Sequence, residues 1–455
     1  VAVKTHAKLA GGLAATVLAF VAGVAVPAAD AASPAVRAAM LRDGGTTPVA
    51  RPGSPLAARA SLSKSQLRNR LEREMRAVGG GSGAWVYDVG GGGRGVLYSD
   101  SGKRRRLLAS NSKLFATAAF LDRFGASGKL ETAIWERGSR RGRNDQIVKG
   151  GVVLVGDGDP ALADPGFANR NNMPVTRLKP LARGVRRAGI RRVRGNLMVD
   201  PSVFDGKRSV PQPGITGGPW LGTLSGLAWN AGKDGNGNAG NPEKRAGREL
   251  MKHLRRAGVK VTGRVRVGSA PGKALSDEPL DAVRSPSTAA LIEQTNTPSD
   301  NFFAEMLLKR LGARGGKQGT TARGAAKAEK FANRAGGGAK LVNGSGLSRT
   351  NAASPSEVGK LLAHMARDDD LDGAYLGSLA VAGRTGTLSS RMRGTAAEGR
   401  CKAKTGTIDG VSTLSGYCES GAGLIAFSIL MNGVNLDAAR RAQDSMAASI
   451  ARYDG

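Results

Sequence analysis

The chain has two cysteines, Cys401 and Cys418, placed symmetrically about the dipeptide Asp409-Gly410. An Asp-Gly pair between β-prone runs signals a two-residue hairpin with a type I′ turn. With that pair as the turn, the cysteines face each other as a non-hydrogen-bonded pair, the closer kind of cross-strand pair. Their separation would then suit a disulfide, and an even count would favour one in an exported chain. The alternative is two small buried thiols. Either way, the C-terminal part is expected to contain an antiparallel sheet of fixed register.

Periodicity extends this frame. Leu67, Leu71, Met75 and Val78 recur at helical spacing, which predicts a helix over 63–78. Two short strands follow, "GAWVYDVG" and "RGVLYSD", around a glycine turn at 90–93, and then a helix over 110–124. Between 141 and 285 the pattern changes to short Val-rich strands, Gly/Pro/Asp turns and basic helices over 179–188 and 242–257. Helical character returns over 286–312, 321–336 and 355–367, followed by the strand pairs and a final helix over 436–452. This predicts an α/β (α+β) fold in which residues 61–140 and 286–455 form one domain with an antiparallel sheet flanked by helices. An inserted, mostly-β region of one or two subdomains interrupts it. At 455 residues the chain has room for this arrangement.

The N-terminus bears on the compartment. Lys4, His6 and Lys8 precede an apolar run over 9–26, and Ala29-Asp30-Ala31 fits a small-x-small cleavage site. These are the parts of a secretory signal peptide, assigned to 1–32, with an Ala/Pro/Arg-rich linker over 33–60. A retained membrane anchor is the alternative. Lys and Arg total 68 against 36 Asp and Glu, a formal charge of +32, concentrated in runs at 104–106, 137–143 and 186–194. Such a field attracts polyanions. Export argues against nucleic acid as the partner and leaves anionic envelope polymers, a membrane surface, or simply a solvated basic face.

The chemistry is constrained first by what is missing. There are three histidines, His6, His253 and His364, and the last two lie in ordinary helical surroundings, so a Ser-His-Asp triad is poorly supported. No His/Cys cluster has zinc-ligand spacing, no phosphate-binding loop is present, and no metal or organic cofactor is implied. Lysine can act as the base instead. In Ser110-Asn111-Ser112-Lys113 the serine and lysine share a helix face, and the apolar residues after Lys113 would bury it and favour its neutral form. Ser61-Leu62-Ser63-Lys64 repeats the spacing and is read as a chance match. Ser299-Asp300-Asn301 opens an apolar helix; its residues could relay a proton and bind an amide, or simply cap the helix. Lys404-Thr405-Gly406-Thr407 lies in a strand. Lys404 and Thr405 could hold a carboxylate, and Gly406 could admit a substrate backbone. The N–H groups of Ser110 and Thr407 could form an oxyanion hole. A similar Arg384-Thr385-Gly386-Thr387 lies upstream and is treated as a decoy.

The three motifs, in this order on helix, helix start and strand, are the signature of penicillin-binding proteins and serine β-lactamases. The chain resembles the low-molecular-mass class C penicillin-binding proteins, the D-alanyl-D-alanine carboxypeptidase/endopeptidases. Supporting blocks are "LVGDGDP", "NLMVDPSVFDG", "NGSGLSRTN" and "VAGRTGTLSSRMRGTAAEGRCKAKTGTIDGVSTLSGY". The interval from Ser110 to Ser299 is 189 residues, which fits a family with a long insert after the first motif and not the class A β-lactamases. The resemblance implies a transpeptidase-like fold. It makes Ser110 the acylated nucleophile, Lys113 its base, Ser299 the proton relay to the departing D-alanine and Asn301 a peptide-positioning group. Lys404 and Thr405 become the carboxylate site, and Arg349 a candidate for an acidic stem-peptide group. Peptidoglycan stem peptides are the implied substrate and β-lactams the implied inhibitors. "SNSK" departs from the more usual "ST-x-K" between the reactive residues, where it is expected not to matter. Two rival readings are a serine β-lactamase, for which Glu305, Glu329 and Glu357 are the available carboxylates, and a non-catalytic basic wall-binding protein.

Overall fold

A computed structural model describes residues 61–90, 95–210, 220–269 and 276–455. The signal peptide and linker expected over 1–60 lie outside the described residues. Helix α1 (Lys64–Val78) is capped by Ser63, whose side chain and that of Gln66 form a reciprocal capping box. The second Ser-x-x-Lys therefore serves as a helix start. Strands β1 (Ser82–Asp88) and β2 (Gly95–Asp100) follow, then α2 (Ser112–Phe124). After the insert come α3 (Thr288–Asn296), α4 (Asn301–Gly312), α5 (Thr321–Arg334) and α6 (Pro355–Met365). Strands β3 (Ala380–Val381), β4 (Cys401–Ile408), β5 (Val411–Ser420) and β6 (Gly423–Asn432) and helix α7 (Leu436–Ile450) complete the outer domain.

The six strands form one antiparallel sheet in the order β3-β4-β5-β6-β1-β2. Both faces are apolar, so both must be covered. On one face α1 and α7 bring Leu67, Leu71, Met446 and Ile450 against Ile425, Phe427 and Ile429. On the other, α2, α4 and α6 bring Phe115, Phe303, Leu307 and Leu361 against Tyr417, Ala426 and Leu430. The helical stretch expected over 286–312 is two helices. They break at residues 297–300, where Ser299 adopts φ +66°, a costly conformation for a residue with a side chain.

The β4–β5 hairpin has the expected register: Ile408 pairs with Val411 and Cys401 with Cys418, which form a disulfide with an S–S distance of 2.01 Å. The turn differs from expectation. Type I′ needs positive φ at both central residues, and only Gly410 has it, at +67°. The cross-strand pairing holds the register without that turn type.

The insert has its own core, built from Ile134, Leu154, Val193, Leu250 and Leu254 among others. Its five-stranded sheet contains parallel neighbours, Val152–Val155 beside Leu197–Asp200 and that strand beside Val265–Val267. Parallel neighbours need crossover connections, and the helices Lys179–Arg187 and Pro242–Arg256 lie on them. The strand Glu131–Glu136, placed with the outer domain on sequence, pairs with Val152–Val155 and Asp281–Arg284 and so belongs to the insert's sheet. Salt bridges from Asp157 to Arg310 (2.8 Å) and from Asp205 to Lys309 (2.5 Å) fasten the insert to α4.

Candidate active site

The site gathers where the start of α2, the start of α4, strand β4 and the 342–351 loop meet. Ser110 sits in a single 3₁₀ turn, residues Ala109–Asn111, directly before α2. The turn is held from several sides. Asn111 donates to Ser415 Oγ of β5 at 2.7 Å, and Ser112 accepts from Asn351 at 2.8 Å. Both side chains are fully buried. The two middle residues of "SNSK" thus tie the turn that carries Ser110 to the sheet and the loop, contrary to the expectation that they are indifferent. Ala109 is held at φ +44°.

Lys113 is fully buried one helical turn after Ser110. Its Nζ lies 3.0 Å from Ser110 Oγ, 2.7 Å from Asn301 Oδ1 and 2.7 Å from the Ser345 carbonyl oxygen. Burial lowers its pKa from 10.5 to about 7, against the upward pull of Glu305 and Asp300. The first two sequence motifs, 188 residues apart at these atoms, are therefore in direct contact. The Asn301 amide group also donates to the Trp220 carbonyl of the insert, at 3.2 Å. Asp300, and not Ser299, caps α4 by accepting from the Phe303 N–H at 3.0 Å. Ser299, half-buried, is left to the strained break between α3 and α4.

Lys404 is also fully buried, on β4, and donates to the Thr405 carbonyl at 2.9 Å. Burial, then the charge of Lys113, holds its pKa well below the ordinary lysine value. Thr405 Oγ1 lies 2.8 Å from Thr387 Oγ1. The upstream Arg-Thr-Gly-Thr, treated as a decoy on sequence, thus contributes its last threonine to the same place. Gly406 faces the protein: a Cβ built there would lie 2.9 Å from the Ser110 nitrogen and 3.0 Å from the Leu108 oxygen. Its missing side chain lets β4 approach the turn that carries Ser110. Gly346 does the same from the loop, with a built Cβ 1.8 Å from the Ala109 oxygen and 2.9 Å from the Ser110 nitrogen. Thr407 pairs with Ser412 and, six residues on from Cys401, is another non-hydrogen-bonded position. Its N–H therefore turns away from β5, along the edge of β4 that the two-residue β3 leaves open.

Sequence reasoning took only Arg349 from the 342–351 loop, and it overlooked the loop's scaffold. Asn351 donates to the Asn343 carbonyl and Oδ1 and accepts from the Val342 N–H, closing the loop on itself. Glu305, fully buried one turn after Asn301 on α4, accepts from the N–H groups of Gly344 and Ser345 at 3.0 and 2.7 Å. Those bonds orient the Ser345 carbonyl that meets Lys113. Asn301, Glu305 and Lys309 recur every four residues, a signal that one face of α4 carries polar work. The other two carboxylates have structural partners: Glu329 accepts from the Leu341 N–H, and Glu357 caps α6 and pairs with Arg105. Arg349 is exposed and donates to the Asp409 carbonyl at the hairpin tip, at 2.9 Å.

A mixed sheet-and-helix domain whose buried lysine meets a serine at the head of a helix is the arrangement of acyl-transferring serine enzymes of the penicillin-binding class. The sequence signature of the D-Ala-D-Ala carboxypeptidase 3 (S13) family matches residues 64–213 and 236–453. The chain belongs to that family and is a serine-type D-Ala-D-Ala carboxypeptidase. It is 30% identical to a D-alanyl-D-alanine carboxypeptidase from Actinomadura sp. (strain R39), with 88% of each chain covered. It is 27% identical to carboxypeptidase DacB of Mycolicibacterium smegmatis, over 75% of this chain and 74% of that one. The fold resembles penicillin binding protein 4 from Haemophilus influenzae, with a TM-score of 0.68 at 19% identity over 83% of this chain and 97% of that one. A structure of that same protein in complex with a β-lactam aligns with a TM-score of 0.63. Among the described residues, no helix is long and apolar enough to cross a membrane.

Proposed function

We propose that the chain hydrolyses the D-Ala-D-Ala end of peptidoglycan stem peptides, and the D-amide cross-links between them, through an acyl-enzyme on Ser110. Neutral Lys113 takes the Ser110 hydroxyl proton as Oγ bonds to the carbonyl carbon of the penultimate D-alanine. The N–H groups of Ser110 and Thr407 receive the resulting oxyanion. The C–N bond then breaks, and the leaving D-alanine amine takes a proton relayed from Lys113 through Ser299. Asn301 positions the peptide, Lys404 and Thr405 bind the terminal carboxylate, and Gly406 lies under the bound backbone. Water releases the acyl group. Arg349, beside the hairpin tip, is the candidate for an acidic group on the stem peptide.

The observation that carries this reading is the buried Lys113 Nζ, 3.0 Å from Ser110 Oγ and 2.7 Å from Asn301 Oδ1. β-Lactams, as mimics of the dipeptide, would acylate the same serine. The reading includes export, with 1–32 as a signal peptide, 33–60 as a linker and the site acting outside the cytoplasmic membrane, where the basic surface meets anionic envelope polymers or a membrane. The test is intact mass after incubation with a β-lactam, alongside D-alanine release from a muropeptide, for the wild type and Ser110→Ala. A stable adduct and D-alanine release by the wild type alone support it. No adduct and no release would sink it, and an adduct lost within seconds would point to a β-lactamase.

A further inference from the structure

The basic runs at 137–143 and 186–194 have no part in the site above, yet the structure brings them together. They lie in the insert's second sheet, whose strands run in the order Lys260–Val261, Arg192–Arg194, Ile147–Lys149, Ser139–Arg141. The register aligns Val261, Val193 and Val148 in one row, buried against the insert's core. Arg140 ends that inward row and is paired with Glu136. Since neighbouring residues on a strand point to opposite faces, the rows on either side point outward. One holds Lys260, Arg192, Ile147 and Arg141, and the other holds Arg194, Lys149 and Ser139.

The outward face of this sheet therefore displays five cations and no carboxylate. Four of them, Lys260, Arg194, Lys149 and Arg141, are exposed, and Arg192 is half-buried. None of the five takes part in a salt bridge among the described residues. Neighbouring strands hold the cations about 4.8 Å apart across the sheet, and alternate residues hold them about 6.7 Å apart along a strand. A fixed lattice of unpaired charge at this spacing costs self-repulsion, which a polyanion with closely repeated charges would relieve. The run at 104–106 behaves differently. Arg106 is buried and donates to the Gly81, Ser101 and Arg104 carbonyls, and Arg105 pairs with Glu357.

We propose that this sheet face docks the enzyme onto a phosphodiester-linked polyol polymer of the cell envelope. A bilayer is the weaker fit. Surface-binding proteins add apolar side chains that enter the lipid, and here Ile147 is the one apolar residue on the face and is half-buried. Among the described residues, the large exposed apolar side chains, Val96, Trp220 and Val267, lie outside these four strands. Single-stranded nucleic acid would call for aromatic stacking platforms, and the face has none. The docking reading rests on the envelope location proposed above, but not on the chemistry of Ser110.

The test measures binding of the folded enzyme, residues 33–455, to immobilised polyglycerol phosphate over a salt series. One variant replaces Arg141, Lys149, Arg192 and Arg194 with Gln. A charge-matched control replaces Lys64, Arg73, Lys327 and Lys330, which are exposed on α1 and α5. The face variant should lose affinity on the order of 100-fold, with a shallower salt dependence, while the control loses only a few-fold. Acylation by a β-lactam should be unchanged in both, which shows that both are folded and separates this outcome from any failure of the active-site reading. Equal losses in the two variants would overturn the proposal and leave net charge as the cause. So would wild-type binding to phosphatidylglycerol vesicles with none to the polymer.

Discussion

Glu305 accepts a 2.7 Å hydrogen bond from the Ser345 N–H, and the same residue's carbonyl meets Lys113 Nζ at 2.7 Å. A carboxylate that need not touch substrate thereby fixes the direction of the lysine proposed as the base. Glu305→Ala should lower the acylation rate by about 10- to 100-fold, because the loop N–H groups lose their acceptor in a buried place. Glu305→Gln keeps an acceptor oxygen and removes the charge that raises the Lys113 pKa. It should retain most of the maximal rate and move the acid limb of the acylation profile to lower pH. The check is β-lactam acylation rate against pH for the three proteins. An unmoved limb in the Gln variant would mean that Glu305 already carries a proton.

As the proposed base, Lys113 should set that limb. A general base must be neutral, and burial brings this lysine to about pH 7. Acylation should therefore rise with pH through a midpoint near 7 and flatten above it. Lys113→Ala should cost about 10²- to 10⁴-fold in acylation and abolish this limb. A profile flat from pH 5 to 8 in the wild type would remove Lys113 from the base role.

How much of this could be read from the chain depends on the kind of group involved. Ser110 and Lys113 are three residues apart, across the turn that leads into α2, and Cys401 and Cys418 mirror each other about a turn, so local spacing was enough. The Ser345 contribution is a backbone carbonyl, which has no residue identity to recognise. Its aim depends on Glu305, 40 residues earlier on another element. Thr387 was hidden by resemblance, because its tetrapeptide Arg384-Thr385-Gly386-Thr387 looked like a duplicate of Lys404-Thr405-Gly406-Thr407. The start of the insert was misplaced because Glu131–Glu136 reads as an ordinary strand, and only its partners show which sheet it joins. The type I′ turn failed at Asp409, whose φ is not positive, because the pairing of long strands outweighed the local preference.

Two glycines separate backbone freedom from close packing. Gly346 has φ +83°, and a Cβ there would lie 1.8 Å from the Ala109 oxygen. Gly410 has φ +67° with nothing within 4 Å of a built Cβ. Gly410→Ala should therefore cost only the left-handed strain, about 1–2 kcal/mol, and leave acylation intact. Gly346→Ala should cost about 3 kcal/mol or more and displace the Ser110 turn, so that acylation falls even at temperatures where the protein is folded. Thermal unfolding and β-lactam acylation on both variants check this. Matching losses of activity would show that the close approach at Ser110 is not what matters.

Thr387 should act on binding more than on chemistry. Its hydroxyl lies 2.8 Å from Thr405 Oγ1, on the strand that also carries Lys404. Thr387→Val keeps the shape but removes that partner, freeing the Thr405 hydroxyl to rotate away from a bound carboxylate. A net hydrogen bond of this kind contributes about 1 kcal/mol, so KM for D-Ala-D-Ala substrates should rise about 3- to 10-fold with kcat little changed. Thr387→Ser, which keeps the hydroxyl, should restore the wild-type KM. A substrate with its terminal carboxylate amidated should be insensitive to either change, since it offers Thr405 no charge to hold. If the amidated and free substrates respond alike, Thr387 is a packing residue, and the carboxylate site must be sought elsewhere along β4.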